Sequence, residues 1–417
     1  MDIFDEPTLI AWFADERRPP ATLCALDLRA HRSTLAGVHL AECVLMGCEL
    51  DASQEVQARE QGAIVVPVLP KLPFEPFRSS PYRISDLYRG FVPGEPDARK
   101  RTFDYQNYRW FMDEATQLPK SLSVADRMYA RLHDTALESA LARFIDGTGR
   151  RVVGVMGGHD TARDLPVFRT VTGIARSLCR RGFLVVSGGG PGLMEAANLG
   201  AFLAPFEDAS LDRALEVLAA VPKFTEVDAW LATACKVREE LLGRWDADEG
   251  SESFNLGIPT WLYGHEPPNL FATHSAKLFY NSLREDGLVT IAGAGLIFGR
   301  GNAGTVQEIF QDATQNYYRS PGVSPTPMAL LEKSFWIRSA SQGPDPVERT
   351  KPLEPLLMAL AKEKPKTDWS SAVLLTDDPD EVIALIEGKK TADDVGALTR
   401  GELWASNLSA IGTPRAS

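Results

Sequence analysis

The sequence predicts a doubly wound α/β fold, with a mostly parallel sheet and a smaller N-terminal domain or appendage. Two observations carry this. From Arg151 onward, short β-rich apolar runs alternate with amphipathic helical stretches, as in parallel sheets covered on both faces. In addition, 417 residues exceed what one ordinary hydrophobic core needs.

The expected strands are 151–156, 183–187, 258–263, 295–298, 328–332 and 372–376. The expected helices lie near 164–181, 192–203, 228–242, 270–292, 304–317, 352–364 and 379–387. This places a Rossmann-like domain at 146–400 and a C-terminal tail at 401–417. Ligands of such sheets bind beyond the carboxyl ends of the strands, where the strand order reverses.

Residues 1–145 have a different texture and read as an accessory region. Leu35, Leu40, Leu45 and Leu50 recur every five residues, the pattern of a short pentapeptide-like coil. The prolines at 67, 70, 73, 76 and 81 then exclude a helix and predict an extended connector or lid. Ser123 precedes an apolar helical periodicity over 121–145 that leads into the main domain.

Composition excludes several functions. Hydrophobic content of 44% and charged content of 24% fit a globular protein, and no apolar run approaches the roughly 18 residues of a membrane span. The acidic start lacks a signal-peptide pattern, so a cytoplasmic location is expected. A net charge of −12 argues against binding a nucleic acid polymer. The compact basic run at 97–103 reads as a solvated linker. Cys24, Cys43, Cys48, Cys179 and Cys235 are scattered without zinc spacing and read as buried thiols.

Three expected strand ends deliver glycine into the next turn: "VMGGHDTAR" with Gly157 and Gly158, "VVSGGGPGLMEAANLGA" with Gly188, Gly189 and Gly190, and "IFGRGNAGTVQE" with Gly301 and Gly304. Glycine lets the backbone approach a ligand, and the N–H groups of the following helix favour an anion such as phosphate. Each turn alone has an equally good geometric explanation. The sequence contains no GxxxxGK[ST] element, and the first turn does not spell GxGxxG.

The second and third of these motifs, in this order, resemble the LOG family, the cytokinin-activating phosphoribohydrolases once labelled lysine decarboxylases, and the related nucleotide 5′-monophosphate nucleosidases. The resemblance covers roughly 150–390. Against the family pattern PGGxGTxxE, Gly301, Gly304, Thr305 and Glu308 match, while Arg300 replaces Pro and Asn302 replaces the second Gly. The resemblance implies that Gly301, Asn302, Ala303, Gly304 and Thr305 bind the 5′-phosphate and that Glu308 is catalytic. It also implies an essential cation in the preceding helix. Arg284 fits with one extra residue in the spacing, and Lys277 is the alternative.

Such an enzyme would release free base and ribose 5-phosphate from a nucleoside 5′-monophosphate. It would need no metal or organic cofactor and would work as a homodimer or larger homo-oligomer. Nothing marks a Schiff-base lysine for pyridoxal phosphate. A nucleotide sensor or carrier lacking turnover is the alternative, and an N-terminal interaction module on a scaffold is a third.

An oxocarbenium-like transition state wants a nearby carboxylate and a positioned water, a role Glu308 can fill. Complementing the helix dipole explains a first-turn Glu308 equally simply. Glu195 either orients ribose hydroxyls or is another first-turn acid. Met194 either packs on a flat base or faces the core. His265, Glu266 and His274 share a loop whose spacing does not suit a helical metal pair and instead suggests shaping of the substrate loop. His133–Asp134 reads as structural.

Overall fold

The computed structural model describes residues 1–69, 71–320, 322–337 and 350–388, in two compact units. The expected tail at 401–417 and Pro70 lie outside these residues. The smaller unit takes residues 1–81 and 120–143, and the larger takes 82–119 and everything from Phe144. Residues 82–119 therefore group with the sheet domain rather than with the N-terminal region.

The smaller unit is a βα repeat, and the pentapeptide-like coil is corrected. β1 (Asp2–Ile3), α1 (Glu6–Ala14), β2 (Thr22–Cys24), α2 (Arg32–Ala36), β3 (Val44–Met46), α3 (Ala52–Glu60) and β4 (Ile64–Val66) follow one another. The four strands pair in chain order, all parallel, with Leu23, Leu45 and Val65 in register. Leu35, Leu40 and Leu45 are all fully buried, but they sit in a helix, a loop and a strand respectively. The five-residue spacing comes from successive elements that each send one leucine into the same core. Asp51 and Gln54 form a capping box that starts α3.

Among its described residues the proline-rich stretch forms no helix, as expected, and it makes several turns and bends rather than running extended throughout. Its Phe74 and Phe77 are buried. Tyr129 donates to Pro67 O (2.5 Å) and Arg143 to Ser79 O (2.8 Å), fastening the segment along the helix that follows it in this unit.

In the larger unit come α4 (Ile84–Leu87), α5 (Phe103–Phe111) and a two-strand hairpin, β5 (Met112–Asp113) with β6 (Leu118–Pro119). The helix α6 (Val124–Thr148) begins in the smaller unit, where Ser123 Oγ accepts from Asp126 N–H (3.1 Å). The seven-stranded sheet follows: β7 (Val152–Met156), β8 (Leu184–Ser187), β9 (Asn255–Gly257), β10 (His274–Ser275), β11 (Gly295–Phe298), β12 (Met328–Leu331) and β13 (Val373–Thr376). All pairs are parallel, in the order β10-β9-β8-β7-β11-β12-β13. The chain thus starts in the middle, builds outward to one side, returns, and builds to the other. That is the doubly wound, Rossmann-like order, with its reversal between β7 and β11.

The helices of this unit are α7 (Pro166–Arg180), α8 (Leu193–Phe202), α9 (Asp208–Ala219), α10 (Val227–Leu242), α11 (Asn281–Ile291), α12 (Ala303–Tyr318), α13 (Lys333–Ile337), α14 (Glu354–Lys362) and α15 (Pro379–Gly388). α8 lies close on α7, because a Cβ at Gly200 would collide with the Thr172 carbonyl. Among the described residues no helix is long and apolar enough to cross a membrane.

Two expectations about elements fail here. The strand placed at 258–263 is instead β9, three residues earlier, and the chain beyond Pro259 leaves β8 to bond with Leu278 (3.0 Å). The helix placed at 270–292 begins only at Asn281, since Ser275 and Ala276 spend their backbone N–H groups on Tyr82 and Gly257. The basic run at 97–103 is also not wholly solvated. Arg99 is buried, donating to the carbonyls of Gly264 and His265.

Lys277 and Asp104 form a fully buried pair at 2.5 Å, and Trp261 Nε1–H also donates to Asp104 (2.9 Å). Burial pushes the Lys277 ammonium below its usual range, and Asp104 opposes that shift. Lys277→Met strands the buried carboxylate and is expected to cost about 3–5 kcal/mol in urea denaturation, most of it recovered by adding Asp104→Asn. A single-variant loss below about 1 kcal/mol would show the pair is not structural.

Candidate functional site

The three glycine turns sit at the carboxyl ends of β7, β8 and β11, the neighbours of the strand-order reversal. Two backbone hydrogen bonds join the β7 and β11 turns: Gly158 N–H to Arg300 O (2.8 Å) and Gly299 N–H to Met156 O (2.9 Å). The β8 turn is tied in by Leu193 N–H to Gly158 O (3.2 Å). Gly192, at φ +69, has no room for a Cβ beside Gly158 and His159.

A buried polar network fixes the Gly188–Gly190 turn from below. Ser187 Oγ accepts from Gly189 N–H (3.0 Å) and lies 2.8 Å from Asn198 Oδ1. Asn269 donates to that same oxygen (2.8 Å) and to Gly190 O (3.0 Å). Asn198 and Asn269 are wholly buried, so each bond closes a group that water does not reach.

Over this turn lies Arg284. A Cβ at Gly188 would stand 2.5 Å from its Nη2. Arg284 donates through Nε to Ile258 O (3.1 Å), and its Nη1 stands 3.9 Å from Glu308 Oε1. α11, which carries Arg284, is held to α12, which carries Glu308, by Gln307 with Glu285 (2.7 Å), Gln311 with Asp286, and Gln315 with Thr290 (3.0 Å). Those side-chain pairs set the Arg284–Glu308 distance. Lys277, the alternative cation, is committed to Asp104.

Glu308 is the sixth residue of α12, beyond the first turn, and is only 8% exposed. The dipole explanation, which needs a first-turn acid, therefore does not apply to it. Burial pushes its carboxyl up to about 7, with Arg284 pulling it down and Glu285 adding to the rise.

The other expected residues divide. Thr305 is buried against Gly301, where any Cβ would strike its hydroxyl. Asn302, Ala303 and Gly304 are exposed at the start of α12, and Asn302 provides no side-chain cap. Instead Asn302 donates to Asp160 (3.1 Å), and Arg300 pairs with Glu332. Met194 is 8% exposed, and its thioether packs against Gly188, beside Arg284, and against Gly190. Glu195 is in the first turn of α8 and is fully buried, bound by both arms of Arg163 (2.8 and 2.5 Å). It is thus not free to hold ribose hydroxyls.

Glu266 reaches the site rim, 3.3 Å from His159 Nδ1, with His265 at 3.8 Å. His274 does not join them: it is in β10, stacked on Phe144 at 4.2 Å, and burial drives its pKa down to about 3. His133 and Asp134 are fully buried and bonded to each other, in the smaller unit. The cysteines are free thiols. Burial raises Cys24 and Cys235 to about 12, and Cys48 and Cys179 to about 11, which makes them poor nucleophiles.

Sequence reasoning did not single out His159, Asp160, Arg163 or Lys351. A cavity of about 40 Å³ opens between Gly158, Gly301 and Asn302, with Arg300 and Lys351 in its wall. A larger one of about 260 Å³ lies beyond Gly192. Only the His-Asp that follows Gly158 in the first turn signalled any of this.

No family model matches the chain, and no curated protein matches it. Among solved structures, the molybdenum cofactor binding protein from the phototrophic bacterium Rippkaea orientalis is similar at 14% identity, over 57% of this chain and 96% of that one, with a TM-score of 0.31. Likeness at that level does not bear on function.

Glu308 supplies a pH signature. A folded pKa raised from 4.5 to about 7 stabilises the fold below the unfolded value, and that stabilisation is lost as pH rises through 7. Between pH 4.5 and 8 the native protein is expected to lose about 3 kcal/mol relative to Glu308→Gln, read by urea unfolding of both. Parallel pH profiles would place Glu308 in a solvated setting.

Proposed function

We propose that the larger unit hydrolyses the N-glycosidic bond of a nucleoside 5′-monophosphate, releasing the free base and ribose 5-phosphate. The observation that carries this reading is the meeting of Arg284, packed against Gly188, with Glu308 at 3.9 Å, beside the strand-order reversal. The phosphate would lie on the N–H groups at the start of α12, with Lys351 nearby. C1′ of the ribose would then face Glu308.

As the C1′–N bond breaks, its electron pair leaves with the base and positive charge develops on the ribose. Glu308 steadies that charge and takes the proton of the attacking water. The proton that Glu308 takes from the water then passes to the departing base, and the new C1′–OH completes ribose 5-phosphate. A carboxyl titrating near 7 changes charge in the pH range where such work is done. Arg284, planar and always charged, orients Glu308 or clamps a phosphate oxygen. A homodimer or larger assembly belongs to the same proposal.

A second reading, a carrier or sensor without turnover, keeps the same pocket and is supported by the loop's departures from the family pattern, where Arg300 pairs with Glu332 and Asn302 with Asp160.

The test is release of free base from a panel of nucleoside 5′-monophosphates. Glu308→Gln and Arg284→Ala are each expected to lower kcat by about 100-fold or more while the fold persists. Tight binding of a monophosphate with no base released would favour the carrier reading.

A further inference from the structure

The small cavity of about 40 Å³ joins the β7 and β11 turns, through Gly158, Gly301 and Asn302, to two cations, Arg300 and Lys351. Thr161 adds a hydroxyl to its wall. Neither Arg284 nor Glu308 lines it. A nucleoside monophosphate with its phosphate at the start of α12 and C1′ toward Glu308 therefore leaves this space unfilled.

The two cations share one aromatic ring. Phe335 is 5% exposed, with Arg300 Cζ 5.6 Å and Lys351 Nζ 5.2 Å from its centroid. Like charges gathered on one ring repel each other, and an oxyanion beside both offsets that repulsion. Glu332 orients Arg300 by accepting from its Nε (2.8 Å) and pairing with its Nη2, and Glu332 itself does not line the cavity. It holds this position at φ +60, a conformation that is costly for any residue but glycine. Lys351 Nζ reaches Asn302 Oδ1 (3.4 Å), on the residue just before α12.

One carboxylate, that of Asp160, also lines the cavity. Both of its oxygens are engaged, Oδ1 with His159 and Oδ2 with Asn302 (3.1 Å). The volume holds about three water-sized groups, as many as the terminal oxygens of one phosphoryl group.

We propose that this cavity takes a second phosphoryl group, joined to the one at the start of α12, so that the ligand of the larger unit is a nucleoside 5′-diphosphate. Arg300 and Lys351 bind the terminal phosphoryl oxygens, and the Thr161 hydroxyl donates to them. The bond broken stays C1′–N: water supplies the new C1′–OH and the proton of the departing base, and the other product is ribose 5-diphosphate. The place of the first phosphate rests on the glycosidase reading, whereas the preference for a diphosphate is read from binding.

The test is calorimetric titration of the full chain with the 5′-monophosphate and the 5′-diphosphate of adenosine, guanosine, cytidine and uridine, with release of free base scored in the same samples. At least one diphosphate is expected to bind about tenfold more tightly than its monophosphate, the effect of one added charge-assisted contact. Arg300→Gln and Lys351→Gln, both at half-buried positions, are each expected to reduce that ratio to about threefold or less while unfolding stays cooperative. Equal affinity for the two phosphates with every base, a preference unmoved by both substitutions, or no binding of any of these nucleotides at millimolar concentration would overturn the proposal. Base release without a preference for diphosphate removes this inference and keeps the glycosidase; tighter diphosphate binding without base release does the reverse.

Discussion

Leu193 holds the site together. It is the first residue of α8, and its side chain lies where a Cβ on either Gly157 or Gly299 would have to go, 2.6 Å from its Cδ1 in the case of Gly157. Its N–H meanwhile bonds Gly158 O. One leucine thus locks the ends of β7, β8 and β11 together. Packing alone explains glycine at 157 and 299. Gly304 differs: a Cβ there would meet open space among the described residues, and its φ is not positive, so neither packing nor backbone conformation demands a glycine. Gly147, Gly173 and Gly293 share that freedom, so the open space at Gly304 accommodates the proposed phosphate loop without being particular to it.

The buried charges of the larger unit are handled in contrasting ways. Arg163–Glu195 and Lys277–Asp104 close at 2.5 Å, with Thr233 Oγ1 accepting further from Arg163 and Trp261 Nε1–H donating further to Asp104. Such pairs hold structure and leave little for chemistry, since breaking either strands a buried charge. Arg284–Glu308 stays at 3.9 Å, beyond hydrogen-bond reach, and Glu308 keeps a shifted carboxyl. A buried carboxyl shifted upward beside a charged partner is a candidate for a functional site.

The central sheet was legible because parallel strands buried on both faces read as short apolar runs. Val152–Met156, Leu184–Ser187, Gly295–Phe298 and Val373–Thr376 all fall within the runs expected for them. Beyond β8 that signal failed. Residues 258–280 are as apolar as a strand and a helix, but apart from the short β10 they form an irregular chain that bonds to itself, to β9 and to Tyr82. The leucine period in the smaller unit showed which residues point inward and not what elements carry them. At the site, the glycine turns were visible and Glu308 was reached through the family resemblance. Arg163, Asp160 and the α9–α10 connector became visible only once tertiary contacts gathered them.

The central claim is that the strand-order reversal gathers the start of α12, Arg284 and Glu308 into one cradle for a phosphorylated ribose. The most direct measurement is a crystal structure of the full chain with ribose 5-phosphate. The account predicts phosphate oxygens within hydrogen-bonding distance of the backbone N–H groups of residues 303–305, with C1′ turned toward the Glu308 carboxyl. A ribose 5-phosphate bound elsewhere, or a sugar turned away from Glu308 with Arg284 unengaged, would contradict it.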